Sequence, residues 1–177
     1  MMFYVWLISE VFLIRYLNES GIPLKESGNC LIADIILFCL LKIFFKHYKK
    51  HRKKKRYLKS SIRKIDAMSG EDFERLLATH FEKAGYKVTL TPTSNDYGAD
   101  LILKKKGKTT VLQAKRYKGK VSNSAIQEIV AAMPYYNADH AMVVTNSYFT
   151  NNAKVLAEAN QVELWDRTQL IKNFHVR

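Results

Sequence analysis

The chain has 177 residues, 47% of them hydrophobic, and a net charge of +13, which gives room for one modest domain with an appendage. The charge is local: residues 46–64 carry eleven Lys and Arg and no acid, so one basic run replaces a uniformly basic surface and can hold phosphates or lipid headgroups without reading sequence. The two cysteines, Cys30 and Cys39, have no neighbouring Cys or His at ligand spacing, which excludes a zinc module and leaves them as expected apolar fillers.

Two apolar stretches come first, residues 1–17 (MMFYVWLISEVFLIRYL) and 31–45 (LIADIILFCLLKIFF), joined by the polar NESGIPLKESGNC. Glu10 breaks the first, and Asp34 and Lys42 interrupt the second, so neither offers the ~20 uninterrupted apolar residues of a comfortable spanning helix. Two arrangements fit. One is a membrane hairpin with both ends on the cytoplasmic side, favoured by the Lys/Arg-rich flank after Phe45. The other is an apolar appendage that packs on a partner or on the following domain. No basic leader and no small-residue cleavage site mark a signal peptide. The expected division is therefore a hydrophobic helical hairpin over 1–45 as a membrane anchor, a basic linker or helix over 46–65, and a soluble domain over 66–177.

In that domain Ser69, with Asp72 three residues on, predicts a capped helix start. Phe73, Leu76, Leu77, His80, Phe81 and Ala84 then recur at three-and-four spacing, and Gly85 stands where a left-handed C-terminal cap belongs. YKVTLTPT reads as a strand. Residues 99–105 and 108–116 are β-type arms of a hairpin that turns at Lys106-Gly107. Ile126, Ile129, Val130 and Met133 predict a helix that Pro134 ends or kinks. HAMVVTN reads as a buried strand, TNNAKVLAEAN as a helix opened by Thr150, VELWD as a strand and RTQLIKNF as a closing helix. That order gives an α/β sandwich with a mixed sheet.

The hairpin concentrates the chemistry. A turn at Lys106-Gly107 pairs Lys105 with Lys108 and sets Asp100 opposite Gln113, with cross-strand Cβ atoms roughly 5 Å apart. Alternation puts Lys115 on the face of Gln113. A carboxylate, an amide oxygen and an ammonium then converge.

The segments MSGEDFERLLATHFEKAGYKV, NDYGADLIL, VLQAKRYKGKVS and AMVVTNSYFTNNAKVLAEANQVELWD resemble, in this order, the Mrr-type catalytic domain of restriction endonucleases, a branch of the PD-(D/E)xK nuclease superfamily. The resemblance spans about residues 68–170. It implies a restriction-endonuclease-like three-layer sandwich and a site that hydrolyses DNA with Mg²⁺ or Mn²⁺. Carried onto the matching positions, it makes Asp100, Gln113, Lys115 and Glu74 the catalytic set. Asp100, the Gln113 amide oxygen and the Ala114 carbonyl would be the metal ligands, and Lys115 would orient water or offset developing charge. Asp96 and Gly98 match the family's Asp-x-Gly-x-Asp turn and would organise it. Tyr97 departs from the pattern, standing where Gly is frequent. Gln113 replaces the acid of the wider superfamily, and no separate DNA-reading domain accompanies the site.

Arg116, Tyr117, Lys118 and Lys120 follow the site and are expected to contact DNA, the cations at phosphates and the ring at sugar or base. The resemblance implies a type IV restriction-like deoxyribonuclease acting on foreign or modified DNA. The N-terminal hairpin and basic run lead to the expectation of a bacterial inner-membrane location with the nuclease domain cytoplasmic. A homodimer would make double-strand cuts. Two other readings stay open: a structure-selective repair or junction nuclease, and a non-catalytic DNA-binding protein at the membrane.

Overall fold

A computed structural model of the chain describes Tyr16 and residues 24–58, 60–92 and 97–174. The chain divides into two compact units at Arg52 and Lys53. In the first, helix α1 (Leu24–Leu58) begins. Residues 24–30, expected as part of a polar loop, are helical. Among the described residues no helix is long and apolar enough to cross a membrane. The expected spanning arm over 31–45 is therefore not found: Asp34 and Lys42 interrupt it, and the charges begin again at Lys46. The first arm, apart from Tyr16, lies outside the described residues. Ile36, Leu40, Ile43, Phe44 and Phe45 are more than half exposed, and Lys42 lays its ammonium over the Phe38 ring at 4.4 Å. Cys39 is a free, exposed thiol.

The second unit carries the last turn of α1 and the elements α2 (Ile62–Asp66), α3 (Gly70–Lys83), β1 (Lys87–Leu90), β2 (Leu101–Lys105), β3 (Lys108–Lys115), α4 (Asn123–Tyr135), β4 (His140–Thr145), α5 (Asn151–Ala159), β5 (Val162–Trp165) and α6 (Arg167–Phe174). From α3 onward this is the predicted order. α2 is an addition that the sequence reading did not contain. The five strands lie in the order β1-β2-β3-β4-β5. β1, β2 and β3 pair antiparallel, and β3, β4 and β5 pair parallel. The sheet is mixed, as expected.

Strand alternation divides the core between two faces. Leu101, Leu103, Leu112, Met142 and Val144 pack with Tyr57, Ile65, α3 and Leu170 on one side. Val111, Ala141, Val143 and Val162 pack with α4, α5 and Phe149 on the other. From Ala141 to Thr145 β4 is buried on both faces, which is why AMVV reads as an unbroken apolar run. The result is a three-layer α/β sandwich.

Local signals hold at the helix ends. Ser69 Oγ accepts the Asp72 N–H at 3.1 Å and Thr150 Oγ1 accepts the Ala153 N–H, each covering an orphan donor of a first turn. Gly85 takes φ +86° after α3. Pro134 falls in the last turn of α4, which ends at Tyr135. The end of α1 is fastened to α3 by Tyr57 Oη donating to Asp72 at 2.8 Å and by the ion pairs Lys53–Asp72 and Lys54–Glu82.

α2 is fastened from a distance in sequence. Asp66 receives two hydrogen bonds from the Arg167 guanidinium at 2.8 Å each and one from Asn146 Nδ2 at 2.8 Å. The Arg167 hydrogen bonds, outweighing burial, hold the Asp66 carboxyl below the usual carboxylate range.

Candidate active site

The β2–β3 turn sets the site. Lys106 and Gly107 have φ of +50° and +77°, the two left-handed residues of a tight hairpin turn whose twist suits the flanking strands. Lys105 pairs with Lys108 and Leu101 with Leu112, the predicted register. The ladder stops there. Asp100 is the next residue, at the position facing Gln113 in that register, and its N–H donates to the Leu112 carbonyl at 2.9 Å.

Past the ladder's end the Asp100 side chain takes the place of a backbone acceptor. Its Oδ2 accepts the Ala114 N–H at 2.7 Å, which sets the carboxylate beside the peptide between Gln113 and Ala114. The Asp100 carbonyl accepts the Thr91 N–H at 3.0 Å. Asp100 is thus held from both neighbouring strands, where β2 and β3 part.

Gln113 is only 3% exposed. Its Nε2 donates to Glu128 Oε2 at 2.5 Å, and Lys115 Nζ donates to the same oxygen at 2.9 Å. Gln113 and Lys115 therefore share a face, as alternation requires, and α4 closes over it. Gln113 Oε1 is buried and has no hydrogen-bond partner, an arrangement that normally calls for an ion or a water. Burial raises the Glu128 pKa, but the hydrogen bonds of Lys115 and Gln113 and the Lys115 charge outweigh it, so the carboxyl ionises more readily than an ordinary glutamate.

Glu128 was not among the residues expected here. A single Glu on the polar side of an amphipathic helix carries no signal in the sequence; only the crossing of α4 over β3 gives it one. Glu74 stands half-buried on α3, a helix whose buried side packs on the sheet face opposite to Gln113. The helix carboxylate that meets Gln113 and Lys115 is Glu128.

The turn before Asp100 is closely fitted. Gly98 has φ +90°, and a Cβ there would lie 2.6 Å from the Glu128 carbonyl oxygen. Tyr97 has φ +50°, a conformation that favours glycine, and its ring stacks on Tyr135 with centroids 3.9 Å apart. Asp96 lies outside the described residues.

Beyond β3, Arg116 turns inward: its guanidinium reaches the Asp66 carbonyl at 3.5 Å, and its Nε is buried without a partner. The Tyr117 N–H donates to Asn146 Oδ1 at 2.7 Å while its ring is exposed. Lys118 and Lys120 are exposed. A cleft of about 410 Å³ opens beside Lys115, lined also by Tyr117, Lys120, Val121, Ser122 and Ser124.

Among the described residues no three His, Cys, Asp or Glu side chains are grouped to hold a metal ion, so an all-protein cage is absent there. Mg²⁺ keeps several waters and needs one or two protein oxygens, and the Asp100 carboxylate with the unpartnered Gln113 Oε1 offers that donor set. Lys115 lines the adjoining cleft.

No curated protein matches the chain. Among the solved structures that resemble it are two with partial coverage. One is AF1548, a protein of unknown function: 14% identity, TM-score 0.46, covering 52% of this chain and 55% of that one. The other is the MspJI restriction endonuclease in complex with a 27-mer oligonucleotide: 20% identity, TM-score 0.41, covering 76% of this chain and 30% of that one. The chain thus spans about half of the first structure and under a third of the second. The Mrr catalytic-domain model, described as a restriction endonuclease, matches residues 65–174, more than half of the chain. By that match the chain belongs to the restriction endonuclease family, with its nuclease domain over residues 65–174.

Proposed function

We propose that the chain is an Mg²⁺-dependent DNA endonuclease of type IV restriction character, acting on foreign or modified DNA and held at a lipid surface by its N-terminal helix. Family membership supports the nuclease. The observation that carries the metal site is Gln113 Oε1, buried and unpartnered on the strand whose next N–H is bound by Asp100.

Each residue has a separate task in this reading. Asp100 and Gln113 Oε1 would hold the cation, and the Ala114 carbonyl is a further oxygen on the same strand. When bound, Mg²⁺ supplies Lewis acidity at the phosphate and lowers the pKa of a coordinated water. Lys115 is placed to orient the attacking water or to offset charge on the phosphoryl oxygens. Tyr117 and Lys120 line the cleft beside Lys115, and with the exposed Lys118 they would meet the backbone of the substrate. Arg116 would act indirectly, by tying the start of that loop to α2.

The lipid attachment has its own support. Apolar side chains of residues 35–45 other than Phe38 are exposed, and Lys46, Lys49, Lys50 and Arg52 follow them directly. Apolar insertion and attraction to anionic headgroups reinforce each other in such a segment. It would place the nuclease domain on the cytoplasmic side of the bacterial inner membrane.

The test is cleavage of supercoiled plasmid by the full chain. Nicking or linearisation that requires Mg²⁺ or Mn²⁺, stops with EDTA and is lost in Lys115→Ala supports the reading. Cleavage that persists in EDTA or in the variant contradicts it.

A further inference from the structure

With glutamine at position 113, β3 carries no carboxylate beside Asp100. α4 brings one instead. Glu128 Oε2 receives both Gln113 Nε2, at 2.5 Å, and Lys115 Nζ, at 2.9 Å. An ionised carboxylate has no proton to give, so only the nitrogen of the Gln113 amide can face it. The carbonyl oxygen must then point the other way, and it is that oxygen which is buried without a partner.

The same helical turn is fixed against the turn that leads to Asp100. Gly98 lies so close to the Glu128 backbone that a Cβ would overlap its carbonyl. Displacement of α4 at Glu128 and displacement of the chain entering Asp100 are therefore coupled.

We propose that Glu128 is the positioning carboxylate of the cation site, delivering from α4 the negative charge that position 113 lacks and turning the Gln113 amide so that Oε1 faces the ion. It acts through two contacts. Its hydrogen bond to Nε2 selects one of the two amide orientations, and its ion pair with Nζ keeps Lys115 beside the cleft. Both fix a neighbour of the ion, the task that partners of metal ligands generally perform. The inference rests on the nuclease reading above.

The experiment is a titration of the full-length protein with Mn²⁺, following free Mn²⁺ by its electron paramagnetic resonance. Circular dichroism melts confirm that each variant is folded. Asp100→Asn is expected to abolish site binding. Glu128→Ala, which leaves the amide free to turn, is expected to weaken Mn²⁺ binding by about tenfold or more. Glu128→Gln preserves shape and an acceptor but not charge, and is expected to fall between Glu128→Ala and wild type. The exchange Gln113→Glu with Glu128→Gln restores one carboxylate and one amide in contact, and is expected to return affinity to within about threefold of wild type, since the charge and the hydrogen bond are both conserved.

Loss in Asp100→Asn with wild-type affinity in Glu128→Ala would overturn the role of Glu128 and leave the nuclease reading standing. So would failure of the exchange to recover affinity, because Glu128 would then act only in packing. No Mn²⁺ site in the wild-type protein, or one indifferent to Asp100→Asn, would overturn the cation site itself and the inference with it.

Discussion

The Asp100 carboxylate accepts the backbone N–H of Ala114 at 2.7 Å, so a proposed metal ligand also terminates the β2–β3 ladder. The two tasks separate by substitution. Asp100→Asn keeps an oxygen acceptor for the N–H and should change stability by less than about 1 kcal/mol. Asp100→Ala leaves the amide unpaired and should cost about 1–3 kcal/mol. Both should lower DNA cleavage on the order of 100-fold or more, since both remove the charge. Urea unfolding alongside plasmid cleavage checks this. Wild-type cleavage by Asp100→Asn would refute the ligand role.

Gly98 should tolerate no side chain. Its φ of +90° and the 2.6 Å approach of a Cβ to the Glu128 carbonyl combine backbone strain with a clash against a helix that has little freedom to move. Gly98→Ala should destabilise the domain by about 2–4 kcal/mol. Thermal unfolding measures it, and an unchanged midpoint would show that the turn and α4 are not in the contact described.

His80 gives the domain a dependence on acid. It stacks on Phe174 with centroids 4.0 Å apart, and burial pushes its pKa down from 6.5 to about 4. The unfolded chain takes up the proton near 6.5 and the folded one only near 4, so stability is complete above pH 6.5 and declines as pH falls toward 4. At pH 5 the loss should be up to about 2 kcal/mol. His80→Gln should flatten stability between pH 7 and pH 5. An equally steep decline in that variant would assign the effect to other groups.

The α1 segment over residues 35–52 should bind vesicles that contain phosphatidylserine, and binding should weaken as salt rises. Exchanging Lys46, Lys49, Lys50 and Arg52 for Gln should remove about 1 kcal/mol of binding for each charge. Phe44→Asp should release the chain altogether by breaking the apolar insertion. Co-sedimentation measures both. Wild-type protein that stays in the supernatant at low salt would end the lipid-surface reading.

The hairpin was legible because its signals are local. Lys106-Gly107 fixes the turn, the turn fixes the register, and period-two alternation then puts Gln113 and Lys115 on one face. The helix starts at Ser69 and Thr150 were legible for the same reason. What stayed hidden depends on distant chain. Glu128 meets β3 only after α4 folds back, and Asp66 meets Arg167 across 101 positions. Arg116 reaches the Asp66 carbonyl on α2, a contact across 50 positions that no local sequence pattern announces. The second apolar stretch suggested a spanning arm; its interrupting charges prevail.

The most direct measurement is the anomalous difference density of a crystal soaked in Mn²⁺. A peak bridging the Asp100 carboxylate and Gln113 Oε1, with Glu128 still bonded to Gln113 Nε2, is the predicted result. A fully occupied Mn²⁺ elsewhere on the domain, or a soaked crystal with no density between those two oxygens, would contradict the account.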